Sequence, residues 1–381
     1  MVKSIMDTKR TTLTIVIGLF AATLTHAAEV GADARETPSV RLQELFKKQR
    51  LPKIVVASDG SVLAFAAGCR FLRRSEDRGE TWSEVETLDA SGGNAVVDET
   101  NGDVLIVSPG KSMLLRSKDN GETWAREEIV FKANLAGHGT PENLPVGVSC
   151  SESGITLKHG EHKGRLVMPC RIMPPNGDNA QEIWQYHYNT SIFSDDGGKT
   201  WQVGEPIMTG TGEGTLAELS DGRVYYNSRM HMAVDHRRRI AFSHDGGYRW
   251  VDWQVSEDLY EVGGPFYFKY GGKPSYGCNA GLVRVPNTAT NLKDVLLYSA
   301  PDNPGGTKPH SGRIKMTVWM STDGAQSWPV KRLIYTGPSA YSSLAADKEG
   351  NVYLLFESGK DKLYEGISVA RLDLRFLGLN D

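Results

Sequence analysis

The sequence predicts an all-β protein, a six-bladed β-propeller, and two repeated patterns indicate that fold. An octapeptide with Ser, Asp and Trp at fixed places occurs five times, and an apolar hairpin pattern occurs six times. Many short strands at regular spacing, with one turn motif per unit, are typical of propellers. The octapeptides are SEDRGETW (75–82), SKDNGETW (117–124), SDDGGKTW (194–201), SHDGGYRW (243–250) and STDGAQSW (321–328).

Each octapeptide is expected to form a tight turn. Ser and Asp side chains can bond nearby backbone N–H groups and so fix a turn. Gly at the fifth place, replaced by Ala325 in the last copy, permits a positive φ there. The Trp at the eighth place offers a large apolar surface to pack beside the turn. The five copies are therefore expected to be structural turns, one in each of five repeated units.

The hairpin pattern supplies the strands of each unit. It consists of an apolar strand, a polar turn with Gly or Asp, and a second apolar strand, as in KIVVASDGSVLAFAAG and, in the sixth copy, SSLAADKEGNVYLLFESG. A third apolar stretch, such as NTSIFS, runs into each octapeptide. Six units of about four strands favour one propeller domain over residues 48–381. The segment before it, 28–47, is predicted to be an N-terminal extension with an amphipathic helix at 40–49.

The N-terminus has the pattern of a secretory signal peptide. Lys3, Lys9 and Arg10 precede the apolar run TLTIVIGLFAATL, and small residues suit cleavage after Ala27. An uncleaved anchor is the alternative, although the run is short for a membrane span. We therefore expect a signal peptide at 1–27 and an exported protein, periplasmic or secreted, with no membrane span in the mature chain.

Composition limits the partners that the chain can have. The net charge of −3 argues against nucleic acid as a bulk partner. The histidines show no metal spacing, so neither a metal nor another cofactor is predicted. The four cysteines lack zinc spacing as well, and Cys150 and Cys170 could form a disulfide or remain buried thiols.

Polar residues gather where the first and second strands of the units meet one end of a propeller. The first strands place Arg50, Glu213 and Tyr341 there, and the second strands place Arg229 and Glu357. Several arginines with carboxylates and a tyrosine in one funnel suit an anionic sugar. Two further arginines, Arg70 and Arg171, are expected to be solvated surface groups.

The octapeptide resembles the Asp-box of the sialidase (neuraminidase) superfamily, and the resemblance extends over residues 48–375. It implies a set of site residues. QRLPKIVVASDGSVLAF resembles the strand with the first arginine of a carboxylate clamp, Arg50. GEGTLAELSDGRVYYNSR resembles the segment with the catalytic Glu213 and the second arginine, Arg229. SGRIKMTVWMSTDG points to the third, Arg313, and GPSAYSSLAADKEGNVYLLFESG to the nucleophile Tyr341, with Glu357 orienting Arg50.

The chemistry of a sialic acid explains these residue types. Its carboxylate sits on the anomeric carbon, so a neutral Tyr approaches without the repulsion that an Asp or Glu nucleophile would meet. A phenol needs a base near neutral pH, which is the role implied for Glu213. Guanidinium groups bind a carboxylate in forked geometry and favour the phenolate as it forms.

One part of the family's pattern is missing. The family's acid/base is an Asp in a loop after the second strand of the first unit, and here that loop is GCRFLRRS, without a carboxylate. Candidates for the proton donor are Glu152, Asp178 and His231. The resemblance implies an exo-α-sialidase that acts on sialylated glycans. A hydrolase of another acidic sugar, or a non-catalytic carbohydrate-binding propeller, is the alternative.

Overall fold

The structure is a computed structural model, and it describes residues 40–90, 92–132, 147–173, 181–232, 235–263, 277–307 and 311–379. These ranges are built almost entirely from β-strands. The predicted signal peptide, its cleavage site and Asp178 lie outside the described residues.

The strands of the first third of the chain are β1 (Arg41–Lys47), β2 (Lys53–Val56), β3 (Val62–Ala66), β4 (Phe71–Ser75), β5 (Glu86–Thr87), β6 (Asn94–Asp98), β7 (Asp103–Ser108), β8 (Met113–Ser117) and β9 (Ala125–Glu128). The middle strands are β10 (Val130–Lys132), β11 (Val148–Cys150), β12 (Ile155–Thr156), β13 (Leu166–Ile172), β14 (Tyr188–Ser194), β15 (Thr200–Val203), β16 (Thr211–Glu218), β17 (Val224–Met230), β18 (Arg237–Ser243) and β19 (Val251–Tyr260).

The last strands are β20 (Gly281–Arg284), β21 (Leu296–Pro301), β22 (Ile314–Ser321), β23 (Val330–Ala346), β24 (Val352–Ser358) and β25 (Gly366–Leu372). Helical turns are short in the described ranges. They are three 3-10 segments, Pro109–Lys111, Gln181–Tyr186 and Asn287–Ala289, and one α-helix, α1 (Leu374–Leu377). No helix of the described residues is long and apolar enough to cross a membrane.

The strands form sheets in which chain neighbours pair antiparallel, and the sheets are arranged like the blades of a propeller. Two sheets, β2-β3-β4-β5 and β6-β7-β8-β9, come first, then the sheet around β13 and β14, then β16-β17-β18-β19. The remaining strands form one seven-stranded sheet, because the 17-residue β23 pairs with β22 over its first part and with β24 over its second.

The innermost strands contact one another in a closed order. Strand β2 lies against β6, β6 against β12 and β13, β13 against β16, β16 against β20, β20 against β23, and β23 against β2. Buried apolar side chains fill the space between neighbouring sheets; Val96 and Leu105, for example, pack with Leu166 and Met168. This arrangement brings the ends of strands that are distant in sequence to a common centre.

The octapeptide turns share one set of hydrogen bonds. In the third copy, Ser194 Oγ donates to Asp196 and accepts from the Gly198 N–H, each at 2.9 Å. The carboxylate of Asp196 also accepts from the Thr200 N–H at 2.9 Å. The bond from the fifth residue's N–H to the Ser Oγ recurs in the other copies, at Ser75, Ser117, Ser243 and Ser321. Each turn thus fixes its Ser and Asp side chains by local hydrogen bonds.

The prediction of a helix at 40–49 is wrong. Residues Arg41–Lys47 form β1, which pairs antiparallel with β25 and buries Leu45 and Phe46. The exposed edge of β25 offers unpaired backbone groups, and pairing with them outweighs the helical propensity of this short segment. The last sheet therefore includes residues ahead of position 48, which the sequence analysis assigned to an extension.

All four cysteines are buried free thiols. Cys150 and Cys170 are direct partners across the β11–β13 ladder, and the structure has them as thiols rather than as a disulfide. Burial raises the pKa of Cys150 to about 12 and that of Cys278 to about 11. Such thiols behave as small apolar side chains.

Candidate active site

The six predicted site residues come from three sheets and meet in one cluster. Arg50 and Arg313 lie just ahead of β2 and β22, and Glu357 lies near the end of β24. Strand β16 carries Glu213, β17 carries Arg229 and β23 carries Tyr341. Their roles in binding and catalysis stay predictions, while their proximity is a property of the structure.

Local irregularities direct the two central side chains. The β16–β17 register shifts between Thr211 and Gly214, at Glu213. The β23–β24 register shifts between Ser339 and Ser342, at Tyr341. Such bulges re-aim a side chain out of the regular alternation of a strand.

The glycines on either side of Glu213 permit close packing. A Cβ at Gly212 would lie 1.9 Å from His231 Nε2, and one at Gly214 would lie 2.3 Å from a ring carbon of Tyr226. Side chains at these two positions would therefore displace their neighbours. The GEG sequence is thus a steric requirement for bringing Glu213 against its neighbours.

Tyr341, Glu213 and Arg229 form the centre of the cluster. The Tyr341 hydroxyl donates a hydrogen bond to Glu213 Oε1. Arg229 Nη1 donates to Glu213 Oε2 at 2.8 Å and to the Tyr341 hydroxyl at 3.3 Å. The Glu213 side chain is 19% exposed, so the pair still has access to a ligand. This is the nucleophile–base geometry that the resemblance implies.

Glu357 joins the first arginine to the strand that carries Tyr341. It is fully buried and accepts from Arg50 Nε at 3.0 Å, from the Leu51 N–H at 3.1 Å and from the Tyr341 N–H at 3.2 Å. A carboxylate with three donors is firmly oriented, and it orients Arg50 in turn. The Arg50 side chain keeps 44% exposure, so part of its guanidinium faces solvent.

The three arginines surround the ring of Tyr341. The Cζ atoms of Arg50 and Arg313 each lie 5.3 Å from the ring centroid, and Arg229 bonds the hydroxyl. Arg229 and Arg313 are almost completely buried. Three guanidinium groups around one phenol form a strongly cationic cup, which suits an anion.

The electrostatics leave the proton on the tyrosine and the charge on the glutamate. Burial alone would raise the pKa of Glu213, but the charges around it, that of Arg229 foremost, hold this pKa well below its usual range. Burial, and then the Glu213 charge, raise the pKa of Tyr341 above its usual value, although Arg229 and Arg313 act in the opposite direction. The pair is therefore a neutral phenol beside an ionised carboxylate.

A second cationic and aromatic group borders Glu213. Arg171 contacts His187 and lies with its Cζ 5.1 Å from the centre of the Trp184 ring. That ring in turn packs on His231 at 4.3 Å between centroids. The expectation that Arg171 is a surface group is wrong, because it is 7% exposed, whereas Arg70 is exposed as expected.

The candidates for proton donor have different surroundings. His231 Nε2 lies 3.6 Å from Glu213 Oε2, and burial followed by the Arg229 charge lowers the pKa of His231 well below its usual value. A neutral imidazole of this kind contacts the base and is not an acid at neutral pH. Glu152 lines a different cavity of about 180 Å³, whose lining includes none of the six predicted site residues.

Glu152 belongs to a closed polar cluster. Its carboxylate accepts from Ser343 Oγ, from the Ser153 N–H at 3.0 Å and from Asn279 Nδ2 at 3.2 Å, and Lys53 Nζ lies 3.7 Å away. Both Lys53 and Glu152 are 3% exposed. These contacts connect separate sheets, so the cluster serves the fold. Among the described residues, no group of three or more His, Cys, Asp or Glu side chains is placed to hold a metal ion.

Comparison of the sequence with known proteins finds a matching family and several relatives. Residues 107–354 match the BNR repeat-like domain. A sialidase of Micromonospora viridifaciens is 29% identical over 89% of this chain and 54% of its own length. A sialidase of Bacteroides fragilis (strain YCH46) is 28% identical over 50% of this chain and 30% of its own. The chain thus spans about half or less of these relatives.

Solved structures show the same fold at low identity. A Hadza microbial sialidase superposes with a TM-score of 0.64 at 22% identity, over 86% of this chain and 66% of its own. The intramolecular trans-sialidase of Ruminococcus gnavus gives a TM-score of 0.64 at 14% identity, over 87% and 96%. The family match covers more than half of the sequence, so this chain belongs to the BNR repeat-like domain family.

Proposed function

We propose that this protein is a retaining exo-α-sialidase that releases a terminal sialic acid from glycoconjugates. The observation that supports it is the contact of Tyr341 with Glu213 inside a ring of three arginines, Arg50, Arg229 and Arg313. A binding module has no need of an ionised base against a buried phenol. The sialidase relatives favour the same substrate class.

In the first step, the arginines hold the sugar carboxylate and Tyr341 attacks the anomeric carbon. Its oxygen forms a bond to that carbon while the bond to the aglycone oxygen breaks, and the phenol proton passes to Glu213. The aglycone oxygen leaves with the bonding electrons and takes up a proton. The carboxylate's charge is neutralised by guanidinium groups, so the neutral nucleophile meets no like charge.

In the second step, water attacks the anomeric carbon of the glycosyl-tyrosine. The tyrosine oxygen leaves with its bonding electrons and recovers the proton from Glu213, while the attacking water releases a proton. Two successive inversions retain the configuration of the sugar.

The test is hydrolysis of a fluorogenic aryl sialoside by wild type beside Tyr341→Phe. A phenol leaves readily as an anion and so needs little help from a proton donor. We expect release of the fluorophore by wild type and none above background by Tyr341→Phe, with binding of free sialic acid retained by the variant. An alkyl sialoside run in parallel measures how much protonation the protein itself supplies.

Absence of both binding and hydrolysis for every α-ketoside of sialic acid would contradict the proposal. If the protein hydrolysed only another acidic sugar, the proposed substrate would be wrong and the proposed mechanism would stand. Binding without turnover, unchanged in Tyr341→Phe, would indicate a carbohydrate-binding propeller.

Two further expectations belong to this proposal. The closed order of the inner strands supports six blades, with the two halves of β23 in separate blades. The N-terminal sequence pattern supports export, which places the enzyme where glycoconjugates are accessible.

A further inference from the structure

Tyr364 lies between the first and third arginines of the cluster. Its ring centroid is 4.1 Å from Arg50 Cζ, closer than the ring of Tyr341. Its hydroxyl accepts a hydrogen bond of 2.6 Å from Arg313 Nη1. One side chain thus contacts two guanidinium groups that the sequence places 263 residues apart, at 50 and 313.

The backbone holds Tyr364 in an unfavourable conformation. Its φ is +66°, in the left-handed region that a bulky aromatic residue rarely adopts. Such strain persists where the surroundings over-determine it, often at functional sites. Here the φ angle turns the ring toward the arginines, so the strained conformation has a specific result.

The loop around Tyr364 is fixed from three directions. Glu365 Oε2 accepts from the Lys360 N–H at 2.5 Å, and the Glu365 carbonyl accepts from the Lys48 N–H at 2.8 Å. At the start of the loop, the Gly359 N–H donates to the Pro338 carbonyl at 3.0 Å. The Tyr335 hydroxyl donates to the Gly359 carbonyl at 2.7 Å. The position of Tyr364 is therefore set by the loop and not by its contact with a ligand.

The chemistry of the hydroxyl indicates what it is for. A phenol has one donor and can accept as well. A lone pair of the oxygen accepts the hydrogen bond from Arg313 Nη1, and among the described residues the Tyr364 hydroxyl donates to no acceptor. A free O–H beside two guanidinium groups is complementary to an anion with more than one oxygen atom, such as a carboxylate.

We propose that Tyr364 is a fourth carboxylate-binding residue of this site: it aligns Arg50 and Arg313 with each other and donates its hydroxyl hydrogen to the carboxylate they hold. This inference rests on the proposed function, because that function supplies the carboxylate. Position 364 lies outside the repeated octapeptides and outside the segments that resemble the family, so no sequence pattern indicates this role.

The test compares two Tyr→Phe variants of the same loop. Tyr364→Phe keeps the ring over Arg50 and removes only the hydroxyl. Tyr335→Phe is the matched control, because it removes a hydroxyl that anchors this loop away from the arginines. A third variant, Tyr364→Gly, removes the ring as well and suits a positive φ.

The readouts are kcat and KM for an aryl sialoside, the Kd of free sialic acid and the melting temperature. We expect Tyr364→Phe to raise KM and Kd roughly tenfold or more, as for loss of a hydrogen bond to a charged group, with a smaller change in kcat. Tyr364→Gly should bind more weakly still. Tyr335→Phe should keep the wild-type KM and Kd.

The outcomes separate this inference from the function on which it rests. An active wild type with an unchanged Tyr364→Phe would overturn the inference alone. Equal losses in Tyr364→Phe and Tyr335→Phe, with lowered melting temperatures, would assign Tyr364 to loop structure and overturn it too. A wild type that neither binds sialic acid nor hydrolyses a sialoside would overturn the proposed function and, with it, this inference.

Discussion

Glu152 and Glu213 stand at comparable places, near the start of the innermost strands of two sheets, yet their surroundings differ. Glu152 is 3% exposed and is contacted by Lys53, Ser343 and Asn279. Glu213 keeps 19% side-chain exposure and contacts Tyr341 and Arg229. Burial raises the pKa of Glu152, although Lys53 opposes it, whereas arginine charges hold that of Glu213 well below its usual range.

The difference separates the carboxylate proposed to react, Glu213, from one whose contacts are those of the fold, Glu152. Glu152 has one cation and enough donors to satisfy both of its oxygens, so nothing is left for a ligand. Glu213 lies among more cations than it can neutralise, and its own side chain is partly exposed. Excess charge near an exposed base is a sign of a functional site, whereas a balanced buried pair is a sign of the fold.

The largest change in turnover is expected on substitution of Glu213. Glu213→Gln keeps the size and removes the base, so kcat for an aryl sialoside should fall on the order of 10²–10⁴-fold. The melting temperature should fall as well, because the buried Arg229 loses its counter-charge, so kcat is measured below the onset of unfolding. Steady-state kinetics and a thermal melt measure the two quantities. Wild-type turnover in this variant would remove Glu213 from the mechanism.

Substitution of Glu152 should lower stability and leave turnover unchanged. Glu152→Gln leaves Lys53 buried without its counter-charge, which should lower the free energy of unfolding by about 3–5 kcal/mol. Urea unfolding measures the loss, and adding Lys53→Met should recover part of it in a double-mutant cycle. The folded fraction should keep its kcat. Loss of turnover with unchanged unfolding would mean that Glu152 acts in catalysis.

The smallest expected effect is a change in the pH dependence of activity, which tests the charges around Glu213. Activity should fall at low pH when Glu213 gains a proton, and its lowered pKa puts this limb below the usual value of about 4.3. Arg171→Met removes one of the charges that lower that pKa, so the acid limb of kcat/KM should move to higher pH. A pH–rate profile measures the shift.

Arg70→Met is the control for that profile. Arg70, like Arg171, lies near the end of the second strand of its unit, but it is exposed. Its removal should leave the acid limb unchanged. An equal shift in both variants would mean that general surface charge, and not the group beside Glu213, sets the pKa.

Much of the candidate site could be predicted because its residues lie in recognisable segments. Arg50, Glu213, Arg229, Arg313 and Tyr341 each stand in a strand or hairpin segment that resembles the family, and the structure brings them together with Glu357. The burial of Arg171 was not predictable, since its contacts with His187 and Trp184 come from a 3-10 segment and its flank with no repeat signature. Tyr364 was missed for a similar reason.

The failed helix prediction has the same origin. The pattern of residues 40–49 describes an amphipathic segment, and only the position of β25 shows that a strand edge was open to it. Local propensity is worth a fraction of a kcal/mol per residue, so a row of hydrogen bonds to a sheet outweighs it.

The repeated unit follows from the local sequence. Its hairpins depend on the alternation of apolar and polar residues, and its turns depend on hydrogen bonds within a few residues, such as the bond from the Gly198 N–H to Ser194 Oγ. The sequence also determined which chemical groups the site contains. Which carboxylate keeps some exposure, and which side chains surround it, follows only from the tertiary structure. Exposure, charge balance and pKa depend on neighbours from other sheets, and those neighbours are set by the packing of the whole chain.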